Sequence, residues 1–130
     1  GKPRPINIGH AMKNLDFSRQ GDVVKETLIS KPVVKAQYNN GSCVSLPTHP
    51  DHFYQVERYE FFGTIDVDTE GQCHCCMLVE GDVIGVTVND RTGTFHYAET
   101  FVIPAATGTY SVHSKGKALL LIARVKDDAC

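Results

Sequence analysis

Apolar and polar residues alternate along much of this chain with a period of two, the spacing of a strand that buries one face and wets the other. The clearest stretch is Ala98 to Val112, AETFVIPAATGTYSV. Phe101 and Ile103 alternate with Thr100 and Val102 up to Pro104, which cannot donate to a sheet ladder, and small residues then lead into Tyr110 and Val112. The pattern predicts strand, tight turn, strand. Met77 to Val88 repeats it, with a turn at Glu80-Gly81-Asp82 followed by Ile84, Val86 and Val88 on one face. Two such hairpins predict an antiparallel β domain. From Tyr59 onward, Tyr59, Phe61, Ile65 and Val67 form an apolar face, while Arg58, Glu60, Thr64, Asp66 and Asp68 form a polar one, with Gly63 as a bulge.

The remaining pattern fills in the order of elements. Gly1 to Pro5 is an extended lead-in, and Gly9 to Leu15 predicts a short helix with Ala11, Met12 and Leu15 on one side. At about two turns such a helix must dock on something. Short strands are predicted at Glu26 to Ile29 and Val33 to Tyr38, a turn at Asn39-Asn40-Gly41, and a loop at Pro47 to Pro50. After a turn at Thr69 to Gly71 come strands at Cys73–Val79, Val83–Val88, Thr94–Ile103, Thr109–His113 and Ala118–Val125. Strands at that spacing, with little helix, predict a sandwich or barrel, and an interior packed with side chains such as Phe101, Ile103, Tyr110 and Leu121 leaves no site for a binding module. Gly81, Gly85, Gly93 and Gly108 fit turns or bulges.

Composition narrows the class. A chain of 130 residues with 42% apolar content is long enough for one domain with its own core. The net charge of −2 is scattered, which leaves no basic stripe for nucleic acid and no polybasic patch for a membrane surface. The longest apolar run, Ala118 to Ala123, is far short of a bilayer span, and the amino terminus lacks the pattern of a signal peptide. Five cysteines, an odd number, in a chain that needs no disulfide framework point to reduced thiols in the cytoplasm.

The run from Phe53 to Val125 resembles the carboxy-terminal cupin domain of type I mannose-6-phosphate isomerases, in which VERYEF, CMLVEGDVIGVTV, ETFVIPAATGTYSV and ALLLIARV occur in the same order. The opening GKPRPINIGHAMKNLDF resembles the segment that in the bacterial enzymes follows a strand carrying an active-site arginine; the chain opens just after that position, so Arg4 does not take the arginine's role. Ser18 to Tyr54 matches the family only loosely. The resemblance implies an all-β, cupin-type jelly-roll β-sandwich or barrel with a short amino-terminal helix. It implies one domain over residues 1–130, with residues 1–20 as lead-in and helix and 53–126 as the jelly-roll core. In the family the enzyme interconverts mannose 6-phosphate and fructose 6-phosphate through an enediol, and the zinc, its ligands and the proton-transfer groups lie in the other cupin domain. None of those motifs stands here. The resemblance therefore implies no catalytic residue and no cofactor in this chain, which is expected to be inactive alone. Its expected partner is the catalytic cupin domain, or a second copy of itself through the surface that domain would cover. The competing expectations are a stand-alone cupin module that binds a sugar or other small molecule without chemistry, and a small metal-dependent cupin enzyme.

Three constellations could carry chemistry. Counting back from Gly81 along the first cupin motif lands on His74, Glu70 and Asp68, all of which can ligate a cation. The second motif's histidine is missing among Thr107 to Tyr110, and Asp68 shares the outward face of its strand with Asp66, so no metal site is expected. In the CHCC run, strand geometry puts Cys73 and Cys75 on one face and His74 and Cys76 on the other, while Cys43 and Cys130 are remote. These thiols are expected to be small buried hydrophobes. His49 and His52 bracket Pro50-Asp51 in a surface loop, His96 and His113 fall on polar faces, and His10 lies on the short helix.

Overall fold

A computed structural model describes residues 5–126; Arg4, Cys130 and the first residues of the lead-in lie outside the described residues. The chain divides into two units, Gly1–Ser30 and Lys31–Cys130.

In the first unit, α1 (Ile8–Lys13) falls on the predicted helix and stops two residues before Leu15. Asn7 caps it, its side chain accepting from the His10 N–H at 3.2 Å. A second helix, α2 (Asp22–Thr27), occupies part of the stretch read as a strand at Glu26 to Ile29. The Val23-Val24 pair and Thr27 favour extended backbone only weakly, and local bonds win: Lys25 pairs with Asp22 at 3.1 Å and the Thr27 hydroxyl donates to the Val23 carbonyl at 2.6 Å.

The second unit contains eight strands among the described residues: β1 (Val33–Tyr38), β2 (Gly41–Leu46), β3 (Tyr54–Asp68), β4 (His74–Glu80), β5 (Val83–Val88), β6 (Arg91–His96), β7 (Thr100–Ile103) and β8 (Thr109–Val125). Along one path the order is β1-β2-β3-β8-β4-β7, with β5 pairing to β6 and β8 off that path. All pairings are antiparallel. The two long strands, β3 and β8, organise this arrangement. Their outer segments, Tyr54–Phe61 and Ala118–Val125, pair in one layer that continues into β4; their other segments, Gly63–Asp68 and Thr109–Ser114, continue into β5. The register shifts at Phe61/Gly63, where Gly63 has φ of 68°. This is the bulge the sequence predicts, and it lets one strand serve two layers. Inward residues from both layers meet in one core, with Tyr110, Leu78, Ile84, Leu120, Ile122 and Val112 fully buried. This architecture is the all-β jelly roll expected from the sequence.

Several local expectations are corrected. Neither predicted hairpin pairs with itself: β4 pairs with β7 and β8, while β5 pairs with β6 and β8. The turns at Gly81 and Pro104–Gly108 carry the chain between layers, a step that looks like a hairpin turn in one dimension. A true hairpin is β5–β6, closed by Asn89 and Asp90, both at positive φ (46° and 62°), the conformation that matches strand twist. The predicted strand Thr94–Ile103 is two strands, because Ala98 adopts φ of 64° and turns the chain. The two predicted strands Thr109–His113 and Ala118–Val125 are one. Strand β2 was not predicted, since Cys43 and Val44 are both buried and break the alternation. Leu121 points to the opposite face from the buried Leu120 and Ile122 and is only half-buried, whereas Phe101, Ile103 and Tyr110 are inside as expected. No helix among the described residues is long and apolar enough to cross a membrane.

A polar cavity inside the jelly roll as candidate functional site

Each of three inward-facing rows ends in a polar or charged residue at the same place. On β8 the row Ala118, Leu120, Ile122 ends in Arg124; on β4, Leu78 and Cys76 lead back to His74; on β3, Phe61 and Tyr59 lead back to Glu57. Strand parity forces all three side chains inward. Glu57, His74 and Arg124 are 5%, 3% and 9% exposed. Together with Lys35 and Tyr38 from β1 and Glu70 from the turn after β3, they line a cavity of ≈ 260 Å³.

The charges in this cavity form a chain of alternating sign. The Lys35 ammonium donates to Glu57 Oε1, the Arg124 guanidinium lies 3.4 Å from the same oxygen through Nη2, and its Nη1 donates to Glu70 Oε2. The Tyr59 hydroxyl donates to Glu57 Oε2 at 3.4 Å. A buried carboxylate is costly unless paired, and here two cations share it. Burial alone would raise the Glu57 carboxyl, but the Lys35 hydrogen bond and the Arg124 and Lys35 charges overcome that and hold it below its ordinary range. The Glu57 hydrogen bond raises Lys35 in turn. For Arg124, desolvation is outweighed by the hydrogen bond to Glu70 and the charges of Glu57 and Glu70, which raise it.

Glu70 reaches Arg124 from a strained position. It sits at φ of 50°, uncommon for a residue with a Cβ. The turn is pinned around it: the Thr69 hydroxyl donates to the Ala105 carbonyl at 2.9 Å, the Thr69 N–H to the Gly108 carbonyl at 3.2 Å, and the Glu70 N–H to Asp68 Oδ1 at 2.7 Å.

His74 lies deeper, with Nδ1 3.0 Å from the Tyr110 hydroxyl. Burial, aided by the Arg124 charge, lowers its pKa, so the ring is held neutral. Its buried Nε2 has no hydrogen-bonding partner among the described residues, and neither does the buried Nε of Arg124. The thiols nearby are poor nucleophiles. Burial pushes Cys76 up to about 12 and raises Cys43 as well.

Asp68, Glu70 and His74 do gather around this cavity. Several of their donor atoms are otherwise engaged: Asp68 accepts from Glu70 and, at 2.8 Å, from Thr109, Oε2 of Glu70 is held by Arg124, and Nδ1 of His74 lies against the Tyr110 hydroxyl. Among the described residues no group of three His, Cys, Asp or Glu side chains is placed to hold a metal ion. The thiol expectation is half corrected: Cys76 is buried with His74, but Cys73 and Cys75, on the other face, are exposed. His49 and His52 sit in their loop, where His52 stacks on Tyr54 with centroids 5.2 Å apart and Lys126 holds the His49 and Pro50 carbonyls. Sequence reasoning missed Lys35, Glu57 and Arg124. The signal for two of them was present: Glu57 has the parity of Tyr59 and Phe61, and Arg124 that of Leu120 and Ile122.

Comparison of the sequence with protein-family models and with curated proteins gives no match. Solved structures do match. The mannose 6-phosphate isomerase from Bacillus subtilis superposes with a TM-score of 0.70 at 13% identity, over 96% of this chain and 36% of that one. The present chain thus spans about a third of that enzyme's length. A cupin-2 domain containing protein from Shewanella frigidimarina gives 0.51 at 17% identity, over 91% of this chain and all of that one. An RmlC-like cupin from the same organism gives 0.59 at 11% identity, over 75% and 86% of the two chains. At these identities the likeness speaks for the fold, and the fold is the cupin jelly roll.

Proposed function

We propose that this chain serves as the non-catalytic cupin domain of a mannose-6-phosphate isomerase-like protein, operating in the cytoplasm beside a catalytic cupin domain that carries zinc. One observation supports this reading above the others: the likeness to the Bacillus subtilis isomerase extends over 96% of the chain at a TM-score of 0.70, against 0.51 and 0.59 for the two Shewanella frigidimarina cupins. The order of motifs from VERYEF to ALLLIARV supports the same assignment. Burial pushes the Cys76 thiol up to about 12, which makes it a poor nucleophile and supports a packing role for this chain. Its part in the larger protein is to pack against the catalytic domain and close one side of the sugar-phosphate cleft.

The test is an isomerase assay on mannose 6-phosphate with added zinc, run on the chain alone and on the chain mixed with an isomerase truncated before its own second cupin domain. The expected result is no turnover alone and a gain of turnover on mixing. Turnover by the chain alone, with stoichiometric metal by elemental analysis, overturns the proposal and moves the chemistry to Asp68, Glu70 and His74.

A further inference from the structure

The outward face of β4 carries a row of sulfur that neither the packing role nor the polar cavity uses. The turn before this strand closes where the Gln72 N–H donates to the Thr69 carbonyl at 2.9 Å, and from Cys73 onward exposure alternates residue by residue. His74, Cys76 and Leu78 are buried, whereas Cys73 and Cys75 are exposed and Met77 is partly exposed. Strand parity therefore brings two thiols and a thioether onto one face, each two residues from the next. Their strand neighbours are uncharged. Cys75 pairs with Val102 of β7 on one side and Ala123 of β8 on the other, and Met77 pairs with Thr100 and Leu121. None of those positions holds a carboxylate, an imidazole or an ammonium group.

Spacing decides what two such thiols can do. Neighbours on one face of a strand stand about 6.4 to 6.8 Å apart at Cα with parallel side chains, whereas a disulfide needs Cβ atoms within about 3.5 to 4.5 Å. The pair is set too wide to close on itself. An ion between them is another matter: bonds as long as those of zinc to thiolate, about 2.3 Å, put two sulfurs up to roughly 4.6 Å apart, which a rotation about each Cα–Cβ bond reaches.

The donor set selects the ion. Thiolate and thioether sulfurs are soft ligands that suit Cu(I), while calcium and magnesium take oxygen. Zinc in a structural site takes four ligands, and this row offers three, one of them a thioether. Cu(I) is satisfied by two or three sulfurs, so the row matches it in number and in kind.

We propose that Cys73, Cys75 and Met77 form a surface site for a single Cu(I) ion, bound by the two thiolates and supported by the thioether. Each thiol releases its proton to solvent as it ligates. The inference is independent of whether a catalytic domain stands beside the jelly roll.

The experiment uses the intact, fully reduced chain without oxygen. Cu(I) is supplied as its bicinchoninate complex, whose colour fades as the protein takes the ion. The expected result is transfer of a single equivalent, an X-ray absorption spectrum with sulfur ligands alone, and protection of Cys73 and Cys75 from iodoacetamide in peptide maps. Cys73→Ser and Cys75→Ser, at exposed positions outside the core, are each expected to abolish the transfer. Met77→Leu, close in volume, is expected to weaken binding about tenfold. The proposal is overturned if either serine variant takes the ion as the parent chain does, if nitrogen or oxygen ligands appear, or if no copper leaves the chelator. Unchanged affinity in Met77→Leu, or a loaded protein that elutes as a dimer with the ion shared between chains, overturns it as well.

Discussion

At the scale of single residues, the face a side chain occupies decides its chemistry here more than its identity does. Cys75 and Cys76 are neighbours, yet one is exposed and the other completely buried with its pKa pushed up to about 12. Brief treatment of the native protein with a maleimide, followed by peptide mapping, is therefore expected to label Cys73 and Cys75 and to spare Cys43 and Cys76. Rapid labelling of Cys76 would show that the β4 inward row has been placed on the wrong face. The same parity rule made much of the site legible: it separates His74 and Cys76 from Cys73 and Cys75, and Val67 from Asp68, before any coordinates. It does not say which face of a two-cysteine pair meets the core. Nor does it say that a Glu or Arg of inward parity will find an opposite charge there, because those partners come from strands distant in sequence.

At the scale of elements, the β1–β2 hairpin is fastened to the bulge in β3. Asn40 donates from its side chain to the Phe62 and Thr64 carbonyls at 2.9 and 2.6 Å, and the Phe62 N–H returns a bond to the Asn40 carbonyl at 3.0 Å. Gly41 follows at once, and a Cβ there would stand 2.0 Å from the Glu60 carbonyl oxygen. Gly41→Ala is expected to cost about 1–3 kcal/mol or more, read as a lower denaturant midpoint, because backbone rather than a flexible side chain must yield. The turn itself was legible from Asn39-Asn40-Gly41, and so was the bulge at Gly63. The docking of one on the other was not, since nothing local records which strand a turn will meet. The same limit explains the two false hairpins: turn chemistry at Gly81 and Pro104 is real, but pairing partners are chosen by layers that form from distant segments.

At the scale of the whole molecule, the buried ionisable groups tie stability to pH. His74 has a folded pKa below its ordinary 6.5, so the unfolded chain takes up that proton first as pH falls. Its contribution is complete above about 6.5 and is lost as pH falls from there through the folded value. Glu57, also depressed in the fold, contributes above its ordinary 4.5, and that contribution is lost below it as pH falls through the folded value. Urea midpoints are expected to decline in two stages, one that sets in as pH falls below about 6.5 and a second that sets in below about 4.5. His74→Phe is expected to flatten the first stage and leave the second. A profile for this variant unchanged in the first stage would show that another group supplies it.

Strand β8 carries one further consequence, for the order in which the protein can be made. Every layer waits on it: β3, β4 and β5 all bond to it, and Tyr54 pairs with Val125, one of the last described residues. A ribosome adding about 5 to 20 residues per second releases β1 through β7 before the strand that joins them is complete. Until Val125 has emerged, the nascent chain presents the inward rows of β3 and β4 without their shared neighbour, a window in which exposed strand edges invite pairing with other chains.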